Sequence, residues 1–229
     1  MAFWFAVSFL LLYPFFLICL STPRFYPAAN RLRRIWAWFL VVVNFIRVKI
    51  IREEGRTNGP VIYVSNHTSY LDIIALGLIM PPRTAFMAKM ELGKIPLFGI
   101  FFRTVDIGVN RKSVVDAHKA FTKAAELIQQ GYSIVIFPEG TIWDKAPLLK
   151  PFKNGAFKLA LETGVPIQPI TFHDNYKILP DEKFEFNPRS LRMKIHRKEY
   201  TNHLNEDDAE LLKDKIFTII ETELATEPH

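Results

Sequence analysis

The sequence predicts an α/β domain: a mostly parallel or mixed sheet covered by helices on both faces, preceded by an N-terminal membrane-associated segment of two helices. Three observations predict it. After Gly59-Pro60, short β-branched runs alternate with helix-period segments, the order that builds a parallel sheet with helical crossovers. Those runs largely lack polar alternation, as strands buried on both faces do. Before them, Phe3 to Leu20 carries no charge over 18 residues, close to the ~20 that cross a hydrocarbon core as a helix.

A chain of 229 residues suits one packed core. Its 49% apolar and 14% aromatic content excludes a disordered chain. The single cysteine, Cys19, excludes a disulfide scaffold, a zinc ribbon and CxxC redox chemistry together. Six histidines are scattered without HExxH or an EF-hand loop, so no metal site and no cofactor are expected.

The elements follow in order. A cleaved signal peptide fits the N-terminus poorly, because no basic residue precedes Phe3, the apolar run is too long and no A-x-A site follows. The second apolar stretch, Ile35 to Ile46, has 12 residues and two Trp, which suits an interfacial or re-entrant helix better than a span. Between Arg24 and Arg56 stand eight basic residues and two acids, leaving residues 57–229 with equal numbers of each sign. A nucleic-acid binder would spread its cations over the folded domain; here they flank the apolar segments. Arg24, Arg31, Arg33 and Arg34 are therefore expected to meet anionic lipid on the cytoplasmic side. Residues 1–52 read as the membrane-anchoring helical segment and 53–229 as the α/β domain.

Within that domain, residues 61–64, 84–88, 105–109, 133–137 and 166–172 read as strands. Residues 191–198 alternate, which suggests a strand nearer an edge. Ser113 opens a helix with Val114, Ala117, Phe121, Ala124 and Ile128 on one face, ended by Gly131. Further helices are expected around Tyr70 to Ile79, Asn154 to Glu162, and from Asn205, with Leu212, Ile216, Ile219 and Ile220 inward.

In such sheets reactive groups collect beyond the carboxyl ends of strands. Two strand ends stand out: residues 61–64 run into SNHTSYLD (65–72), and 133–137 run into PEGT (138–141). A separation of five puts His67 and Asp72 about 140° apart on a regular helix, so they converge only if His67 lies in the loop and Asp72 in the first turn. Ser69-x-x-Asp72 also has capping-box spacing, and a loop histidine can serve structure alone. Those readings are compatible with a pair in which one carboxylate oxygen faces the helix amides and the other the imidazole. A His–Asp pair is a general base without an internal nucleophile: there is no GxSxG elbow, and the only cysteine lies in the apolar segment. The hydroxyl it activates then belongs to a substrate.

Asn66-His67-x4-Asp72, Lys89 in AKMELGKIPLFG, Arg111, Phe137-Pro138-Glu139-Gly140-Thr141 and Val165-Pro166-Ile167-x-Pro169 follow one another as in the glycerolipid acyltransferase family. The chain resembles its bacterial lysophosphatidic acid acyltransferases, strongly over residues 60–175 and also in the two-helix anchor. The resemblance implies transfer of a fatty acyl group from a thioester donor to the free hydroxyl of 1-acyl-glycerol-3-phosphate, giving phosphatidate. His67 would deprotonate the hydroxyl and Asp72 orient the imidazole. Lys89 would help stabilise the oxyanion, and Arg111 would hold the acceptor phosphate. Glu139, Gly140 and Thr141 would form the acceptor loop, with Glu139 accepting from a glycerol hydroxyl or pairing with Arg111. Lys153 is a functional lysine or a solvated helix-start residue. The implied partners are a lysophospholipid acceptor, an acyl-CoA or acyl carrier protein donor and membrane lipid, at the cytoplasmic face of the inner membrane in a bacterial setting, with no nucleic acid.

One departure stands out: Asn110 precedes Arg111 where the family commonly has Asp. An acceptor without the phosphomonoester, such as a lyso-aminolipid, therefore remains an alternative, and a non-catalytic lipid-binding protein is a more remote one that leaves the His–Asp pair without a purpose.

Overall fold

The computed structural model describes residues 1–55, 59–143, 145–180 and 186–226; Arg56 lies outside them. Seven strands form one sheet: β1 (Arg47–Arg52), β2 (Ile62–Ser65), β3 (Thr84–Lys89), β4 (Ile107–Val109), β5 (Ser133–Ile136), β6 (Ile167–Phe172) and β7 (Ser190–Ile195). Their order is β1-β7-β6-β2-β5-β3-β4. β6 and β7 are antiparallel, and every other neighbouring pair is parallel. The sheet is thus mixed but mostly parallel.

Successive side chains of a strand point to opposite faces, and both faces here are covered. Ile62 and Val64 join Ile134 and Ile167 in one cluster with α5 (Val114–Gln129), α6 (Gly155–Thr163) and α8 (Ala209–Thr226). Val61 and Tyr63 join Val135 and Ile170 in another with α2 (Tyr26–Val43), α3 (Leu71–Ile79) and α7 (Asn175–Ile178). That two-sided burial is why these strands lack polar alternation. The caps follow the sequence: Ser113 Oγ accepts from the Asp116 amide, and Asn205 and Asp208 close a reciprocal capping box before α8. Val114, expected on the inner face of α5, is instead 87% exposed, because the buried stripe runs through Ala120, Ala124, Ala125 and Ile128.

One boundary changes. Residues 47–52, assigned to the anchor, form β1 and pair in parallel with all of β7, so the sheet starts before residue 53. Arg47 and Lys49 project outward from this edge strand, where charge discourages pairing with another chain. β7 lies between β1 and β6, one strand in from this edge.

The N-terminal helices dock on the domain. Phe9 and Phe16 of α1 (Ala2–Cys19) pack with Trp36 of α2 and with Phe101 of α4 (Ile100–Arg103). Ala37 of α2 lies so close to α3 that a Cβ at Gly77 would meet its methyl group at 3.2 Å. Arg33 makes two hydrogen bonds to the buried Asp106 and stacks 3.9 Å over the Phe101 ring, and Arg34 donates to the Met80 carbonyl. These two arginines therefore fasten α2 to the domain instead of facing lipid phosphate; Arg24 and Arg31 remain exposed. On the outer side Phe3, Trp4, Leu11, Phe15 and Ile18 of α1 and Trp38, Phe39 and Val42 of α2 are exposed. α1 is long and apolar enough to cross a membrane, and only 17% of it is buried within the protein.

Candidate functional site

β2, β5, β3 and β4 are consecutive and parallel, and β6 runs parallel to β2 on its other side. Their carboxyl ends therefore share one edge of the sheet, and the loops that leave it carry the residues singled out in the sequence.

At the end of β2 the chain is pinned by Asn66, which is fully buried. Its Nδ2 donates to the Phe172 carbonyl at 2.9 Å, and its Oδ1 accepts from the Phe172 amide at 2.8 Å. A side-chain amide thus pairs with a backbone peptide as a neighbouring strand would, extending the β2–β6 pairing by one residue. His67 comes next, outside the helix, and Asp72 lies in the first turn of α3, as the five-residue spacing requires. His67 Nδ1 is 3.0 Å from Asp72 Oδ2. The same oxygen accepts from the amides of Thr68 at 2.7 Å and Ser69 at 2.9 Å, while Oδ1 accepts from Asn175 Nδ2 at 2.7 Å. One oxygen therefore serves both amides and imidazole, and the capping and orienting roles of Asp72 coincide in it. Ser69 Oγ completes the turn by accepting from the Leu71 amide and donating to the Leu179 carbonyl.

This network decides the tautomer. Asp72 is surrounded by donors, so His67 Nδ1 carries the hydrogen and Nε2 presents its lone pair. The imidazole also stacks on Phe137, centroids 3.9 Å apart and planes at 18°. With 12% of its side chain exposed, it is oriented yet reachable.

Glu139 departs from expectation. Its Oε1 accepts from the His67 amide at 2.8 Å and its Oε2 from the Lys150 amide at 3.2 Å. Both oxygens are thus engaged by backbone amides, because the Phe137–Thr141 turn folds the side chain between the loops after β2 and β5, and among the described residues Arg111 is not a partner. Burial pushes its carboxyl up to about 7, against the two amides that favour its charged form. The Trp143 amide donates to the His67 carbonyl, so the two loops hold each other. Gly140 has φ +79°, a conformation that favours glycine, and a Cβ there would press on Lys153 Nζ at 3.1 Å, where the lysine lies across the turn. Thr141 is exposed at the loop's outer end.

Lys89 and Arg111 stand elsewhere. Lys89 ends β3, paired with Val109 of β4, and is exposed with Nζ 3.9 Å from Glu91. Arg111 follows β4, and Glu91 opposes the lowering of its pKa by desolvation. Among the described residues neither touches the His67–Asp72 pair; they form a second, cationic group further along the same edge. Asn110 is locked below Arg111, its Nδ2 donating to Asp116 at 2.8 Å and its Oδ1 accepting from the Lys112 amide.

Asn175 went unnoticed in the sequence. It opens α7 just beyond β6, is fully buried, and stands 103 residues from Asp72. No local pattern links the two, although a histidine, an aspartate and an asparagine directly after a buried strand were the available signal.

The arrangement can take a proton from a hydroxyl at His67 Nε2 beside a cationic subsite. The chain is similar to known acyltransferases. The chain is 37% identical over 174 residues to a chloroplast 1-acyl-sn-glycerol-3-phosphate acyltransferase of Brassica napus, covering 73% of this chain and 49% of that one. It is 30% identical over 160 residues to a lyso-ornithine lipid O-acyltransferase of Pseudomonas aeruginosa, covering 70% of this chain and 60% of that one. It shares its fold with the crystal structure of a 1-acyl-sn-glycerophosphate acyltransferase from Thermotoga maritima, with a TM-score of 0.78, 22% identity and coverage of 97% and 94%. The chain spans about half to three fifths of the length of these curated relatives. A family model described as Acyltransferase matches residues 46–173, which run from β1 to the end of β6 and take in both site loops, and the chain belongs to that acyltransferase family.

Proposed function

We propose that the protein transfers a fatty acyl group from a thioester donor to the free hydroxyl of 1-acyl-glycerol-3-phosphate, giving phosphatidate. The observation that carries this reading is the His67–Asp72 pair, on the same sheet edge as Arg111, with Nε2 bonded to no protein group and no GxSxG serine or cysteine beside it among the described residues.

In this reading His67 Nε2 takes the proton of the acceptor hydroxyl, whose oxygen attacks the thioester carbonyl. The C–O bond forms, the tetrahedral intermediate collapses with cleavage of the C–S bond, and the imidazolium returns the proton to the leaving thiolate. Asp72 holds the tautomer and stabilises the imidazolium. Glu139 positions His67 through its backbone amide rather than touching substrate. Arg111 offers paired donors to the acceptor phosphate, and Lys89 adds positive charge near it. The donor is an acyl-CoA or acyl carrier protein.

The exposed apolar face of α1 and α2 supports attachment to a membrane, with Arg24 and Arg31 at anionic headgroups. In domain terms, residues 1–46 are the anchoring segment and the domain runs from β1 onward.

A panel of lysolipid acceptors tests the reading. Arg111→Ala is expected to raise the KM for lysophosphatidate sharply and to affect a phosphate-free lysolipid less. Arg111→Lys recovers only part, since an ammonium keeps the charge but not the planar fork. A wild-type preference for the phosphate-free acceptor, or an equal loss on all acceptors, would remove the phosphate assignment.

A further inference from the structure

Along the outer side of β4, the open edge of the sheet, lies a cleft of about 460 Å³ between the turn after β3, α4 and α5. Its wall is apolar, with Phe102, Ile107 and Ala120, while Lys94, Arg103, Lys119 and Lys123 stand around it. Lys123 Nζ donates to the Asp106 carbonyl. Asp116 is the one carboxylate in the lining, and Asn110 already engages it at 2.8 Å. Among the described residues Lys94, Arg103 and Lys119 have no anionic partner. Four cations beside one carboxylate stand out in a domain whose charges balance overall. On the opposite side of the sheet the cations are matched: Lys194 bonds to Glu53 and Glu223, and Lys198 to Glu54.

Distance decides what such a cleft can serve. β4 is three strand positions from β2, ~14 Å at ~4.8 Å per strand, and the cleft opens beyond β4. The acceptor phosphate, a few bonds from the hydroxyl that meets His67, is assigned above to Arg111 at the carboxyl end of β4, and it cannot also reach the cleft on the outer side of that strand. A thioester donor can. Acyl-CoA and acyl carrier protein both present the acyl chain on phosphopantetheine, whose phosphate and sulfur are separated by about thirteen bonds, ~16 Å when extended at bond lengths like those of a peptide chain.

Building on the acyl-transfer reading above, we infer that this cleft holds the phosphate end of the donor's phosphopantetheine, with the arm running along the carboxyl edge past β3 and β5 to deliver the thioester at His67. Lys94, Arg103 and Lys119 bind the phosphate, and Phe102 and Ile107 line the apolar approach of the arm.

The test compares the full chain in detergent with a Lys94→Ala/Lys119→Ala variant and with Arg103→Ala, all checked for an unchanged thermal midpoint. The apparent KM for both acyl-CoA and acyl carrier protein is expected to rise about tenfold, the loss of roughly one charge-assisted contact, with the lysophosphatidate KM unmoved. Binding of free coenzyme A, measured by calorimetry, is expected to weaken by a similar factor. Unmoved donor KM values, or a rise in acceptor KM instead, would overturn the inference. An effect confined to one donor would also overturn it, showing that the cleft reads the nucleotide or the carrier's own surface and not the shared arm. If the wild type transfers nothing from either donor, the acyl-transfer reading fails, while coenzyme A binding to wild type and variant still decides the cleft.

Discussion

His67 is held at its ring nitrogen by Asp72, on its face by Phe137 and at its backbone by Glu139 and Trp143. Such convergence restrains an imidazole before substrate arrives. Asn175 is the remote end of this chain of contacts. Its replacement by Ala leaves Asp72 Oδ1 buried without a partner, which costs about 1–3 kcal/mol. The expected result is a lower thermal midpoint together with a lower kcat at unchanged acceptor KM, and a displaced limb in the pH dependence of kcat. A loss of stability alone, with kcat and its pH profile intact, would make Asn175 merely structural. Glu139 gives a second test. Its carboxyl rises from 4.5 to about 7 on folding, so the folded state binds the extra proton between those values and this group's contribution to stability falls as pH rises through that window. Glu139→Gln lacks this slope, and the wild-type midpoint minus the variant's is expected to decline from pH 4.5 to 7. A difference independent of pH would contradict it. The His67–Asp72 pair was legible because a five-residue spacing across a strand-to-helix junction admits few geometries. The inward turn of Glu139 was not, because its acceptor role toward the His67 amide depends on β5 lying beside β2, which only the three-dimensional order of strands supplies.

Among the elements, α2 and β1 show where local pattern falls short. Residues 47–52, RVKIIR, contain three cations and read as part of a basic segment, yet Val48 and Ile50 alternate inward on an edge strand. Arg33 and Arg34 look in sequence like neighbours of Arg31, but the helical period turns them toward Asp106 and Met80 while Arg31 faces outward. Arg33→Ala strands the Asp106 carboxylate in a buried site, a change that typically destabilises by about 3–5 kcal/mol. A depressed thermal midpoint and an unchanged preference for anionic over neutral vesicles are expected. Arg31→Ala should do the reverse, weakening attachment to anionic vesicles by about 1 kcal/mol with no loss of stability. Thermal unfolding and vesicle flotation on both variants check this, and a stable Arg33→Ala protein with a selective loss on anionic vesicles would return Arg33 to the lipid.

At the scale of the whole molecule, one sheet edge orders the chemistry. The His67–Asp72 pair follows β2, the Glu139 loop that holds the His67 backbone follows β5, and the cationic group of Lys89 and Arg111 stands at the ends of β3 and β4. The apolar helices α1 and α2 dock on the same domain through Trp36, Phe101 and Asp106, so any membrane they enter lies at a fixed orientation to that edge. The central claim is that His67 removes a proton from the hydroxyl of a lysophospholipid. Its most direct test is mass spectrometry of the products formed by the purified full chain and by His67→Ala from lysophosphatidate and a thioester donor. Phosphatidate is expected from the wild type, and a rate lower by about 10²- to 10⁴-fold from the variant, which stays folded and attached to membranes. A variant rate within about tenfold of the wild type would contradict the claim.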